Sequence, residues 1–172
     1  MKENIYKNPA LIVWQARKNL MPVYLVIIWG ALFAASLIGA FYKNYFDFST
    51  LTLESHFSIT STGLTLTLAL FVAGKSAFDD KELKILANHI PENGVKGQAL
   101  IDFIGPYVFT SLLFFVTGLV SLFGPFLKLS FDPTILLIIK IIYFNILSLG
   151  FFSLFNLVIT MLKDVYLKAF RK

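Results

Sequence analysis

Four uninterrupted apolar stretches, at 22–42, 57–78, 100–126 and 133–162, constrain this chain more than any other feature of its sequence. A helix that crosses a bilayer needs roughly 20 apolar residues at 1.5 Å rise, and each stretch meets that length. Fifteen bases and ten acids cannot clothe a soluble domain of 172 residues that carries nineteen phenylalanines and is 57% hydrophobic. The expected fold is therefore all-α, a single transmembrane domain of four helices, and a free cytosolic enzyme is excluded. With no cysteine in the chain, thiol chemistry and Cys-ligated metal centres are excluded as well.

The basic residues set the expected orientation. Residues 1–21 carry Lys2, Lys7, Arg17 and Lys18; the 79–98 loop and its approach carry Lys75, Lys81, Lys84 and Lys96; the 163–172 tail carries Lys163, Lys168, Arg171 and Lys172. The other two loops hold only Lys43 and Lys128. This positive-inside asymmetry, with an even number of spans, predicts both termini in the cytosol and an inner-membrane location. A signal peptide over residues 1–40 is the competing reading. It fits poorly, because the apolar run exceeds an h-region and Ile38 sits where a small residue is needed before a cut after Ala40.

The segments between spans have their own signatures. Asn8 followed by Pro9 reads as an N-cap and first helical residue, opening a short interfacial helix with Trp14 at headgroup level. The segment 78–98 reads as a short helix with Asp79, Asp80 and Glu82 near its start, ended by Pro91 and Gly94. Aromatic and alternating apolar residues at 43–55 suggest an extended stretch on the outer surface. His56 and His89 fall on opposite sides of the membrane, so they cannot share a metal ion. No metal site and no cofactor is expected. No nucleotide-binding glycine loop, HExxH, GxSxG or carboxylate pair is present, and the chain is not expected to be an enzyme.

Polar residues inside the spans carry the functional reading, because the bilayer core offers them no water. On the second span, Ser58, Ser61, Thr62, Thr65, Ala69, Ala73 and Ser76 share one face, and Thr60, Gly63, Thr67 and Gly74 a nearly opposite one. Such a helix is either packed between neighbours or packed on one side and wetted on the other. On the fourth span, Asn145, Ser148, Asn156, Thr160 and Lys163 form a stripe with Phe152 in its middle, suited to a hydrophobic constriction or to ordinary packing. Pore-lining candidates are accordingly Ser58, Thr62, Thr65, Ala69, Ser76, Asn145, Ser148, Phe152, Asn156 and Thr160. Lys140, two turns into the fourth span, either snorkels to the outer headgroups or places positive charge at an outer mouth. Ala31, Ala35 and Gly39, with Gly30 and Ala34, give the first span small-residue packing rows, and Gly105-Pro106 marks a kink or a helix start in the third.

The segment FSITSTGLTLTLALFVAGKSAFDDKELK, from Phe57 to Lys84, resembles the second span of bestrophin-type anion channels, where a small-and-leucine-rich pore helix leads into an aromatic-Asp pair. Phe78-Asp79 holds that place here. The residues after the pair differ, and that family's cytosolic helical domain between the second and third spans is missing. The resemblance implies a reduced relative whose pore is lined by the second span.

These residues point to a small ion channel or pore-forming protein that works as a homo-oligomer, since four helices at 8–10 Å spacing enclose no aqueous lumen. Lys163, Lys168, Arg171 and Lys172 gathered around one axis would favour an anionic cytosolic ligand, such as a nucleotide, an oligonucleotide or an anionic lipid, as in membrane-depolarising defence or toxin effectors. The rival reading is a non-conducting accessory subunit of a transporter or envelope complex, in which the stripes bind a partner span.

Overall fold

The computed structural model describes residues 8–42, 45–48, 51–52, 54–76, 78, 80–90, 96–126 and 132–170. They form six α-helices: α1 (Pro9–Ala16), α2 (Val23–Phe41), α3 (Phe57–Ser76), α4 (Asp80–Asn88), α5 (Gln98–Phe123) and α6 (Pro133–Phe170). No strand occurs among the described residues. α2, α3, α5 with its 3₁₀ extension to Phe126, and α6 as far as Lys163 are each long and apolar enough to cross a membrane. Their outward surfaces carry large apolar side chains such as Ile27, Ile38, Val72 and Phe155, a distribution suited to lipid.

Local chemistry explains where the helices begin. The Asn8 side chain accepts a hydrogen bond from the Ala10 amide at 3.0 Å, with Pro9 in the first turn of α1. At α6, the Asp132 carboxylate accepts from the Thr134 amide at 2.8 Å, again with a proline at the helix start. α5 starts after Gly97, whose φ of 80° lies in the left-handed region that a side chain disfavours. Pro106 lies inside α5, two turns past its start, so the reading of Gly105-Pro106 as a helix start is corrected.

α5 is the most heavily packed helix, lying against α1, α3, α4 and α6; α6 packs in turn on α3 and α2, and is the main partner of α2. Phe114, Tyr143, Leu147 and Leu154 form one core cluster between α5 and α6. A second cluster unites Ala40 on α2, Phe48 of the following loop and Ile141 on α6. One end of the bundle holds α1, α4 and the far end of α6, and is called the α1 end below; the other holds residues 45–56 and the start of α6.

Two sequence expectations are corrected by this packing. Among the described residues of the loop after α2, Tyr45, Phe46 and Asp47 are exposed but Phe48 turns inward, buried among Ala40 and Ile141 with its ring edge-on to Phe144 at 5.8 Å. Burying an aromatic ring outweighs keeping the segment extended. The Ala31-Ala35-Gly39 and Gly30-Ala34 rows of α2 do not pack on the other spans of the same chain, whereas Ser36 and Ala40 do. Ala31, Ala34 and Ala35 are exposed, Gly30 has no atom within 4 Å of the place its Cβ would take, and Gly39 is covered by the Phe46 ring of its own loop.

Candidate functional site

The glycines that the chain places on α3, α5 and α6 let these helices close around a single aromatic side chain. A Cβ at Gly63 would lie 2.5 Å from the Phe114 ring, and one at Gly150 would lie 3.3 Å from it. Phe114 is thereby held between two glycine-lined walls and is 1% exposed. Gly118 and Gly74 provide the same closeness toward Thr60 and the Tyr107 hydroxyl.

Around Phe114 runs a seam of buried hydroxyls. Thr110 Oγ1 and Ser153 Oγ lie 2.6 Å apart and join α5 to α6 below the ring. Ser121 Oγ and the Tyr143 hydroxyl, also 2.6 Å apart, join the same helices toward the other end. Thr60, Thr67 and Thr117 are buried as well, each donating to a carbonyl one turn back at 2.8 Å. The seam's hydrogen bonds are closed within the protein, as burial away from water requires. Sequence reasoning found the α3 half of this seam in Thr60, Gly63, Thr67 and Gly74. It missed the α5 half, although Tyr107, Thr110, Phe114, Thr117 and Ser121 repeat at alternating spacings of three and four, the signature of one buried helix face.

The opposite face of α3 points away from the bundle. Ser58, Ser61, Thr62, Thr65, Ala69, Ala73 and Ser76 are all exposed. Their hydroxyls are turned back on the helix: Thr62 donates to the Ser58 carbonyl at 2.8 Å, Thr65 to Ser61 at 3.0 Å, and Ser76 to Ala73 at 2.8 Å. α3 also has the lowest mean hydropathy of the four spans, 1.5. Within the single chain α3 is packed on one side and its polar face is uncovered, an arrangement that water or a neighbouring span could complete.

The α6 stripe faces inward. Asn145 is buried and donates from Nδ2 to Ser36 Oγ on α2 at 3.0 Å and to the Ile141 carbonyl at 2.8 Å. Its own carbonyl accepts from Trp29 Nε1 at 3.0 Å and from Ser148 Oγ at 2.9 Å. Asn156 Nδ2 donates to the Leu20 carbonyl at 3.3 Å, tying α6 to the turn between α1 and α2. Phe152 is half-buried and Thr160 exposed. The α3 and α6 candidates thus do not converge on one space within a single chain.

The charged candidates divide in the same way. Lys140 is half-buried and donates from Nζ to the Phe48 carbonyl at 2.8 Å, pinning the folded loop to α6. It also lines a cleft with Asp47, Phe46 and Pro133 at that end. Lys163 is exposed on α6. Lys168 belongs to α6 but its side chain, like Arg171 and Lys172, lies outside the described residues.

At the α1 end, α1 is docked on α5 rather than standing free. Ala16 is buried with its Cβ against Gly105, and Leu20 packs beside it. Trp14 stays 66% exposed, with the Arg17 guanidinium 4.6 Å from its ring centroid, a cation–π pair placed where headgroups would meet it. Phe78, Phe103, Tyr107 and Phe71 form a continuous run of ring contacts between α3 and α5 nearby. Comparison of the chain with family models, with curated proteins and with solved structures gives no match.

Proposed function

We propose that this chain is the subunit of a homo-oligomeric pore in the cytoplasmic membrane, with both termini in the cytosol and the exposed face of α3 lining the conduction path. One observation carries the reading: Ser58, Ser61, Thr62, Thr65, Ala69, Ala73 and Ser76 run the length of a span on the side that its own bundle leaves uncovered. A row of small and hydroxylated side chains on that side is out of place against acyl chains and suits water or a second copy of the helix. The resemblance of Phe57–Lys84 to the bestrophin pore helix supports the same assignment. Asn145 and Asn156 are assigned to holding the bundle, since each donates to another segment of the chain, whereas Ser148 donates within α6. Phe152 and Thr160 remain pore candidates only where α6 approaches the axis behind α3.

The test is conduction in liposomes by the purified full chain. Replacing Thr65 or Ala69 with Trp narrows the path, and single-channel current is expected to fall at least severalfold while the thermal unfolding temperature in detergent holds. Unchanged current in both variants overturns the α3 assignment. Failure of the parent chain to dissipate an ion gradient overturns the pore itself. Neutralising Lys163, Lys168, Arg171 and Lys172 together tests gating: it is expected to abolish any response to anionic cytosolic ligands while leaving the pore's unitary current intact.

A second reading is favoured by a specific observation. The exposed hydroxyls of Thr62, Thr65 and Ser76 already donate to their own helix, so these positions suit dry packing against a partner span. On that reading the chain is a non-conducting accessory subunit. Its mass in detergent separates the two, because the pore requires a defined symmetric oligomer and the accessory subunit is monomeric on its own.

A further inference from the structure

An apolar groove of about 380 Å³ runs between α3 and α5 and is closed along one side by Pro9 of α1. Its α3 wall is Leu64, Leu68 and Phe71; its α5 wall includes Ile104, Val108 and Phe115. Along α3 the spacing 64, 68, 71 is continued by Lys75, an exposed cation one helical turn beyond Phe71 on the same face. Lys75 does not itself line the groove, but it stands one turn past its apolar body, on the side toward the α1 end.

Its length is also selective. From Ile104 to Phe115, eleven rises of α-helix span about 16 Å, close to half of a hydrocarbon core of about 30 Å. A slot one leaflet deep, apolar along its body and with an ammonium one turn past it, has the shape and charge order of one acyl chain joined to an anionic headgroup. α1 makes it a groove: without Pro9 the α3–α5 surface would have only two walls.

We infer that this groove is a binding site for an anionic phospholipid, with an acyl chain laid between α3 and α5 against α1 and the headgroup phosphate at Lys75. Its assignment to the inner leaflet rests on the orientation proposed above, whereas the binding itself depends neither on orientation nor on conduction. Chain burial supplies affinity that does not discriminate headgroups, and Lys75 supplies the preference for negative charge.

The full chain in detergent is titrated with phosphatidylglycerol or with phosphatidylcholine of the same acyl composition, and retained lipid is counted by native mass spectrometry. The parent is expected to retain phosphatidylglycerol severalfold better. Lys75→Gln is expected to lower phosphatidylglycerol retention about fivefold and leave phosphatidylcholine unchanged. Ser111→Phe, which fills the groove from the α5 wall, is expected to lower both. Lys84→Gln, on exposed α4, serves as the control cation. Equal retention of the two lipids by the parent overturns the site. So does a loss in Lys84→Gln equal to that in Lys75→Gln, which would assign the preference to diffuse surface charge. If Ser111→Phe fails to fold, the comparison of Lys75→Gln with Lys84→Gln still decides.

Discussion

Gly63 and Gly30 are both mid-helix glycines in membrane spans, and their surroundings give them opposite consequences. A methyl group at Gly63 meets Phe114, whose ring is fenced by Gly150 on its other side and has no vacant rotamer nearby. Gly63→Ala is expected to cost about 1–3 kcal/mol by overpacking, read as a lower unfolding temperature in detergent. Gly30→Ala meets nothing and is expected to be neutral, or stabilising by up to about 1 kcal/mol from helix propensity. The Asn145–Ser36 bond is a second residue-scale test. A double-mutant cycle with Asn145→Ala and Ser36→Ala is expected to give a coupling of about 0.6 kcal/mol, the ordinary worth of an interhelical hydrogen bond in a membrane. These two sites also mark what the sequence discloses. The stripe containing Asn145 is visible by counting, but counting gives a face and never a neighbour, so its engagement with Ser36, 109 residues earlier, could not be read. Gly63 was legible as part of a small face, whereas the ring it admits was not, because steric fit between helices leaves no local periodic trace.

At the scale of elements, α1 is the shortest α-helix and is held chiefly by its packing on α5. It is eight residues long, too short to hold as an isolated helix, and its docking depends on Ala16 reaching the backbone of α5 at Gly105. Gly105→Val is expected to release α1 while the spans stay folded. Hydrogen exchange at residues 10–16 should then rise at least tenfold with the α5 and α6 amides unchanged; equal loosening of all of them would mean that α1 is integral to the bundle. The helix itself was legible from Asn8 and Pro9. With 38 residues, α6 is about 57 Å long against a hydrocarbon core of about 30 Å. The docking of α1 was hidden because Gly105, beside a proline, reads as a helix boundary, whereas here it is a seat for another helix. The loop after α2 was misread for a related reason: alternation of apolar residues signals an extended strand only where nothing apolar waits to receive them.

For the molecule as a whole, the contrast between its faces is the main result. α3, α5 and α6 close on a glycine-lined aromatic core in which the hydroxyls of Thr67, Thr110, Thr117, Ser121, Tyr143 and Ser153 are hydrogen-bonded, while the hydroxyl face of α3 and the small-residue face of α2 are left open. Membrane helices associate through such small-residue surfaces. If the α2 face joins copies in the proposed ring, a bulky substitution at Ala31 is expected to reduce the oligomer to monomer in detergent; an unchanged mass would separate this face from assembly. One further consequence follows from α2 having α6 as its main partner. The bonds that fasten it, from Trp29 to the Asn145 carbonyl and from Asn145 to Ser36, join segments up to 116 residues apart. At ribosomal rates of 5–20 residues per second, the first span waits roughly 6–23 s in the bilayer before its partner has been made. During biogenesis the earliest helix is thus the last to be secured, and a chain truncated before α6 would present α2 unclasped to membrane quality control.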